Sequence, residues 1–319
     1  MRILANDGIS NAGKSKLESH GFEVVTDKVD QENLAQGINE GNFVGVLVRS
    51  ATKVRQNHID ECPNLKLIGR GGVGMDNIDV QYARDKGLHV INTPSASSQS
   101  VAELAFSSLF SMARFTYDAA RKMPSNGVSE FKSLKKSYSK GTELRGKTLA
   151  IIGFGGIGKE LAKYALGAGM KVMYTNRESN TSETLQLDIA GNTVSVELER
   201  SSLEDCLKQA DYISIHVPKQ ADGNAVIGAQ EIELMKDGVG IVNTSRGGSI
   251  DEDALMKGLE SNRIKAAALD VFVNEPTPRE DLLKHPRIIA TPHIGGSTVE
   301  AQDRIGLELA DQIIKILKD

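Results

Sequence analysis

Ala150-Ile151-Ile152-Gly153-Phe154-Gly155-Gly156-Ile157-Gly158 is the stretch that sets the fold class. A short apolar run feeds into G-x-G-x-x-G, and a helical pattern follows over residues 159–166. In that strand–turn–helix setting Gly153 permits a tight turn and Gly155 lets the backbone approach a pyrophosphate. Gly158 lets the helix pack closely on its strand. The helix opening, with Gly156 and Ile157 in its first turn, presents unpaired N–H groups and a positive dipole end to an anion. A nucleotide-binding turn in a parallel α/β sheet is the expectation.

Working outward, short apolar runs alternate with longer amphipathic stretches, the pattern of strands joined by crossover helices. Strands are expected at 148–152, 171–174, 212–216, 240–243, 266–270 and 288–290. Upstream, strands at 2–6, 22–26, 45–48, 65–68 and 89–91 alternate with helices at 10–19, 32–40 and 78–85, a second small α/β unit. Between the two series, Val101, Leu104, Ala105, Leu109 and Met112 share one broad face of a long helix over 98–114. The stretch 123–142 carries Pro124, Gly127, Gly141 and many Ser and Lys residues, and reads as an exposed excursion with solvated charge at Lys132, Lys135 and Lys136. Ser297-Thr298-Val299-Glu300 is a capping-box pattern that opens a terminal helix. That lone helix need not belong to the series it follows.

Composition narrows the function classes. A chain of 319 residues exceeds one ordinary core, so two domains are expected. Its net charge of -4 offers no basic surface, which argues against nucleic acid and anionic membranes as partners. Cys62 and Cys206 have neither disulfide-framework nor metal-ligand spacing, so no metal is expected and a reducing cytoplasm is the simplest compartment.

About 20 residues beyond the glycine turn, a dinucleotide site usually carries an acid that binds the adenosine ribose. Here Met173-Tyr174-Thr175-Asn176-Arg177 puts Asn176 in the acid's place, with Arg177 next. Without that carboxylate a ribose 2′-phosphate is not repelled, and a guanidinium can pair with one. Asn176 can equally bind the ribose hydroxyls while Arg177 stacks on adenine. NAD(H) and NADP(H) both stay open on the residues.

Three later segments each place an ionisable residue just beyond a strand's carboxyl end, where open α/β sheets bind ligands. They are Asn243-Thr244-Ser245-Arg246-Gly247-Gly248, Asp270-Val271-Phe272-Val273-Asn274-Glu275-Pro276 and Thr291-Pro292-His293-Ile294-Gly295-Gly296. Arg246 offers a planar fork to a carboxylate and a charge to polarise a carbonyl. Histidine titrates near neutrality, so His293 suits proton transfer, and Glu275 can orient its ring. In this ordered Arg, Glu and His set, and along essentially the whole chain, the sequence resembles the D-isomer-specific 2-hydroxyacid dehydrogenases, most of all their phosphoglycerate dehydrogenase branch. The resemblance implies the same catalytic trio, Arg246, Glu275 and His293, and NAD(H) as the usual cofactor. It places Asp270 at the nicotinamide end and His216, Val217, Pro218, Thr244, Gly295 and Gly296 along the cofactor.

The fold implied is α/β with two Rossmann-like lobes. A dinucleotide-binding lobe at 95–292 is inserted into a flavodoxin-like substrate lobe of 1–94 plus 293–319, with the site in a cleft between them. Val48-Arg49-Ser50-Ala51-Thr52-Lys53 and Ile68-Gly69-Arg70-Gly71-Gly72-Val73 resemble the substrate-side loops of that branch. The N–H groups of Gly72 and Val73 suit a carboxylate. Arg49, Ser50 and Lys53 suit a phosphate, while Arg49 or Arg70 pairing with Asp76 or Asp79 would make the loop merely braced. The expected substrate is 3-phosphoglycerate, oxidised to 3-phosphohydroxypyruvate in serine synthesis. The alternatives are a glyoxylate or hydroxypyruvate reductase and a catalytically silent, cofactor-sensing corepressor. The resemblance also implies a homodimer built on the 98–114 helix, and a short form without the C-terminal regulatory domain of larger relatives.

Overall fold

The computed structural model describes residues 1–177, 182–220 and 222–318. It separates into two compact units, Met1–Ser100 with Gly296–Asp319, and Val101–Gly295. The boundaries fall a few residues past those expected after residues 94 and 292.

The first unit holds β1 (Arg2–Ala5), β2 (Glu23–Val25), β3 (Phe43–Val48), β4 (Leu67–Arg70) and β5 (His89–Asn92), paired in parallel in the order β2-β1-β3-β4-β5. That is the flavodoxin-like order, with its switch point between β1 and β3. Alternate residues of each strand serve opposite cores, which is why the strands read as unbroken apolar runs. Leu4, Val46 and Ile68 face one core, and Ile3, Leu47 and Leu67 the other. Ile305, Leu309, Ala310 and Ile313 of the terminal helix Val299–Lys318 complete the second core. The terminal helix crosses the helix Asn11–Ser19 at Gly13 and Gly306, so closely that a Cβ on Gly13 would lie 2.6 Å from the Gly306 backbone.

The second unit holds β6 (Thr148–Ile152), β7 (Lys171–Thr175), β8 (Glu183–Ile189), β9 (Asn192–Leu198), β10 (Tyr212–Ile215), β11 (Val239–Asn243), β12 (Ile264–Leu269) and β13 (Ile288–Ala290). Six of these form a parallel sheet in the order β13-β12-β11-β10-β6-β7, whose strand order reverses between β6 and β10. Strands β8 and β9 pair antiparallel as a separate hairpin. The hairpin is absent from the sequence expectation. It packs Leu185, Leu187 and Leu198 against the core that contains Tyr174 of edge strand β7, and a single parallel bridge joins Tyr174 to Arg200.

Helix Ser98–Arg114 buries Ala102, Ala105, Leu109 and Met112 in this unit's own core. Its apolar face is therefore used internally, and Phe110, 46% exposed, points away from that core. The excursion at 123–142 proves largely helical, through Thr116–Asn126 and Phe131–Ser137. Its Ser and Lys side chains sit on solvated faces where they cost the helix little, and the Tyr138 hydroxyl ties it down by donating to Asp118 at 2.9 Å. Among the described residues no helix is long and apolar enough to cross a membrane.

Alanine at an ordinary helical glycine stabilises by about 1 kcal/mol. At Gly306 the added methyl would strike Ser10 and the Gly13 backbone, so Gly306→Ala is expected to destabilise the first unit by about 1–3 kcal/mol in urea unfolding. A more stable variant would disprove the close crossing.

Candidate active site

The glycine turn lies at the strand-order reversal. Gly153 has φ +97° and is pressed against the His216 carbonyl at the end of β10, leaving no room for a side chain. Next to it, a Cβ on Gly155 would meet nothing, so the backbone there faces open space. Helix Gly156–Gly167 starts at once, with Ile157 and Gly158 in its first turn. A pocket of about 910 Å³ opens before the turn, lined by Gly153, Phe154, Gly155, Asn176, Arg177, His216, Val217 and Pro218. Glycines at the front and unpaired helical N–H groups behind are what a pyrophosphate needs.

Arg200 and Ser202 also line this pocket, and no motif points to them. Arg200 lies beside the end of β7 through the bridge to Tyr174, and its Nε donates to the Asn176 carbonyl at 3.0 Å. Only knowledge that 183–198 folds out as a hairpin could have brought it there. Arg177 donates to Gln220. Hydrogen bonds from Asn224, with the charge of Arg177, hold the Asp222 carboxyl below its ordinary range. Although His216 is only half-buried as a residue, its Nδ1 is sealed from solvent, and burial pushes the ring pKa down to about 3, so the ring is neutral. Its Nε2 lies 2.8 Å from Ser214 Oγ.

The other three carboxyl-edge loops of this sheet carry the ionisable trio. His293 Nδ1 lies 2.8 Å from Glu275 Oε2, and Glu275 Oε1 accepts from the Phe272 N–H at 3.0 Å. Burial raises the Glu275 carboxyl, but the bonds from His293 and Phe272 and the charges of His293 and Arg246 outweigh it, leaving the group below its ordinary value. Glu275 is then an anion at neutral pH, which fixes the proton on Nδ1 and leaves Nε2 as the working nitrogen. Arg246 sits close enough for Glu275 to feel its charge, and its guanidinium donates to the Ser245 carbonyl at 2.6 Å.

Buried side chains at the strand ends hold these loops in place. Asn243 accepts from the Ser245 N–H at 3.0 Å and donates to the Arg246 carbonyl at 2.9 Å. Asp270, 2% exposed, accepts from Thr291 Oγ1 at 2.6 Å and from the N–H groups of Ile294 and Gly295, both at 2.8 Å. These bonds span His293, which takes the left-handed φ of +55°. Asp270, Thr244 and Gly295 do not line the large pocket, and Gly296 belongs to the first unit.

In the first unit, Asp7 accepts from the backbone N–H groups of Arg49 and Thr52 at 2.7 and 3.0 Å, and Asn77 donates to the carbonyls of the same two residues. The loop 49–53 is thus fixed through its backbone. Asp79 is paired by Arg55 at 2.8 Å, not by Arg49 or Arg70. The guanidinium of Arg49 and the ammonium of Lys53 have no hydrogen-bond or ion-pair partner among the described residues, and Ser50 is exposed beside them. One expectation is corrected. The Gly72 N–H donates to Thr93 Oγ1 at 2.8 Å and is not available to a carboxylate, whereas Val73 is exposed. Arg70 folds back against Gly72.

Residues 106–295 match the family model of the D-isomer specific 2-hydroxyacid dehydrogenase NAD binding domain. The chain is 42% identical to a hydroxypyruvate reductase of Thermotoga maritima over 99% of its own length and 98% of that protein. It is 39% identical to a D-3-phosphoglycerate dehydrogenase of Methanocaldococcus jannaschii over its full length, but spans only 58% of that longer protein. Among solved structures, a glyoxylate reductase from Paecilomyes thermophila superposes with a TM-score of 0.80 at 28% identity, covering 100% of this chain and 96% of that one. The chain belongs to the D-isomer specific 2-hydroxyacid dehydrogenase family.

Proposed function

We propose that the chain interconverts a D-2-hydroxy acid and its 2-oxo acid, with a nicotinamide dinucleotide as hydride partner. The 2.8 Å contact between His293 and Glu275, made within reach of the Arg246 charge, carries this reading. Arg246 pairs with the substrate carboxylate and draws electron density toward the neighbouring carbonyl oxygen. His293 Nε2 hands its proton to that oxygen during reduction and recovers it during oxidation. Glu275 stays ionised throughout and holds the ring through Nδ1. Gly155 and the N–H groups of residues 156–158 would hold the pyrophosphate of the dinucleotide, which would supply or accept the hydride when bound.

Two finer assignments follow. The family description points to NAD(H), but Asn176 in the acid's place with Arg177 and Arg200 on the same pocket wall favours NADP(H). For the substrate, the unpaired cations Arg49 and Lys53 on a braced loop favour a phosphorylated acid such as 3-phosphoglycerate. A second reading is hydroxypyruvate itself, favoured by the 42% identical relative of matching length. Exposed Phe110 and Phe131 are surfaces that a homodimer would cover.

Kinetic measurements test these assignments. Loss of the proton donor in His293→Ala should cost about 10²–10⁴-fold in kcat. Glu275→Gln should cut reduction by about tenfold or more at pH 7.5, because an amide no longer fixes the proton on Nδ1 or orients the ring. Parent-level activity in Glu275→Gln removes that pair from the mechanism.

Each charge-assisted phosphate contact is worth about 1.5–3 kcal/mol, or roughly 10–100-fold. Arg200→Ala should therefore raise KM for NADPH by at least about tenfold and leave KM for NADH unchanged. Equal effects on both would discard the 2′-phosphate role. Likewise, 3-phosphohydroxypyruvate should be reduced at least about tenfold more efficiently than hydroxypyruvate, an advantage that Arg49→Met abolishes. Equal efficiencies would pass the assignment to the unphosphorylated acid.

A further inference from the structure

The parallel register aligns Ser214 with Val242, Val242 with Ala268, and Ala268 with Ile289. Side chains two residues further along share that face, so His216, Thr244, Asp270 and Thr291 form a polar row across the sheet's carboxyl edge. Helix Ser98–Arg114 covers this face, with Leu104 and Ser108 opposite Thr244, Asp270 and Thr291. Between them is a small cavity of about 10 Å³.

Three groups around the cavity have hydrogen-bonding capacity to spare. Thr244 is 9% exposed, and its Oγ1 is buried with no partner among the described residues. Ser108, 8% exposed, donates to the Leu104 carbonyl at 2.9 Å, which leaves its oxygen free to accept. The Asp270 carboxylate has about four lone-pair positions, and Thr291, Ile294 and Gly295 occupy three. A donor, a neutral acceptor and an anionic acceptor therefore meet around space for one small polar molecule.

We propose that this cavity is a binding site for a single ordered water. The water accepts from Thr244 Oγ1 and donates to the fourth position of Asp270 and to Ser108 Oγ, three bonds being the usual number for buried water. It completes the shell of the carboxylate from which the His293 turn hangs, and it links that turn to the 98–114 helix. Bulk is satisfied too, since one water needs roughly 10–15 Å³ of such volume.

The sign of a stability change decides between a wet and a dry cavity. A buried hydroxyl without a partner is a liability, so its removal stabilises, whereas removing one that binds water destabilises. Thr244→Val should lower the thermal midpoint by about 2–4 °C, while Thr244→Ser, which keeps the hydroxyl, should retain the bond. High-resolution crystals of the parent, with and without dinucleotide, should show a peak about 2.7–3.2 Å from Thr244 Oγ1 and an Asp270 oxygen. It should persist in Thr244→Ser and vanish in Thr244→Val. A dry cavity in the parent, a raised midpoint in Thr244→Val, or displacement of the peak by bound dinucleotide would each overturn the proposal.

Discussion

A carboxylate almost wholly out of water, Asp270, receives three hydrogen bonds from residues on either side of His293, and the chemistry of the second unit depends on that anchor. His293 belongs to no helix or strand. Its direction comes from Thr291, Ile294 and Gly295 being tied to one side chain at the end of β12. Once the ring is so placed, Glu275 reaches it from the loop that follows β12, and Phe272 in turn holds Glu275.

The same device recurs at other strand ends. Asn243 ends β11 and ties down the loop of Arg246, while Asp7 follows β1 and ties down the loop of Arg49. In each case a short, buried Asx side chain bonds backbone groups that no ladder or helix satisfies. Parallel strands ending side by side leave such groups in a row, and burying them unpaired would be costly. The requirement for satisfaction therefore makes these loops rigid, and rigidity is what a site assembled from separate loops needs.

This explains what was legible beforehand. Apolar runs, the glycine turn and the Arg, Glu and His segments are local features, and 148–152 and 288–290 fall where the strands β6 and β13 are found. The hairpin β8–β9 escapes a sequence reading because Thr184, Gln186, Asp188 and Glu197 give it a polar face, and its buried leucines are too sparse to stand out. Arg200 was missed with it, since its position depends on how that insertion folds. The N–H of Gly72 was misjudged because its partner, Thr93, is 21 residues away and joins it only across the sheet. Family resemblance assigns Asp270 to the cofactor. That its oxygens bind the chain's own turn is a long-range fact, invisible in a motif.

Magnitudes show why the His293 turn holds its unusual backbone. A left-handed residue other than glycine costs about 1–3 kcal/mol. Opposing it, a hydrogen bond to a charged group contributes about 1.5–3 kcal/mol, and a buried carboxylate stripped of its donors suffers more than that. Opening the turn would release the strain at one residue but leave Asp270 without three partners in a site that water barely reaches. The closed turn wins by several kcal/mol. It follows that the strained φ of His293 is imposed from β12, and that the direction of the imidazole is set before any substrate arrives.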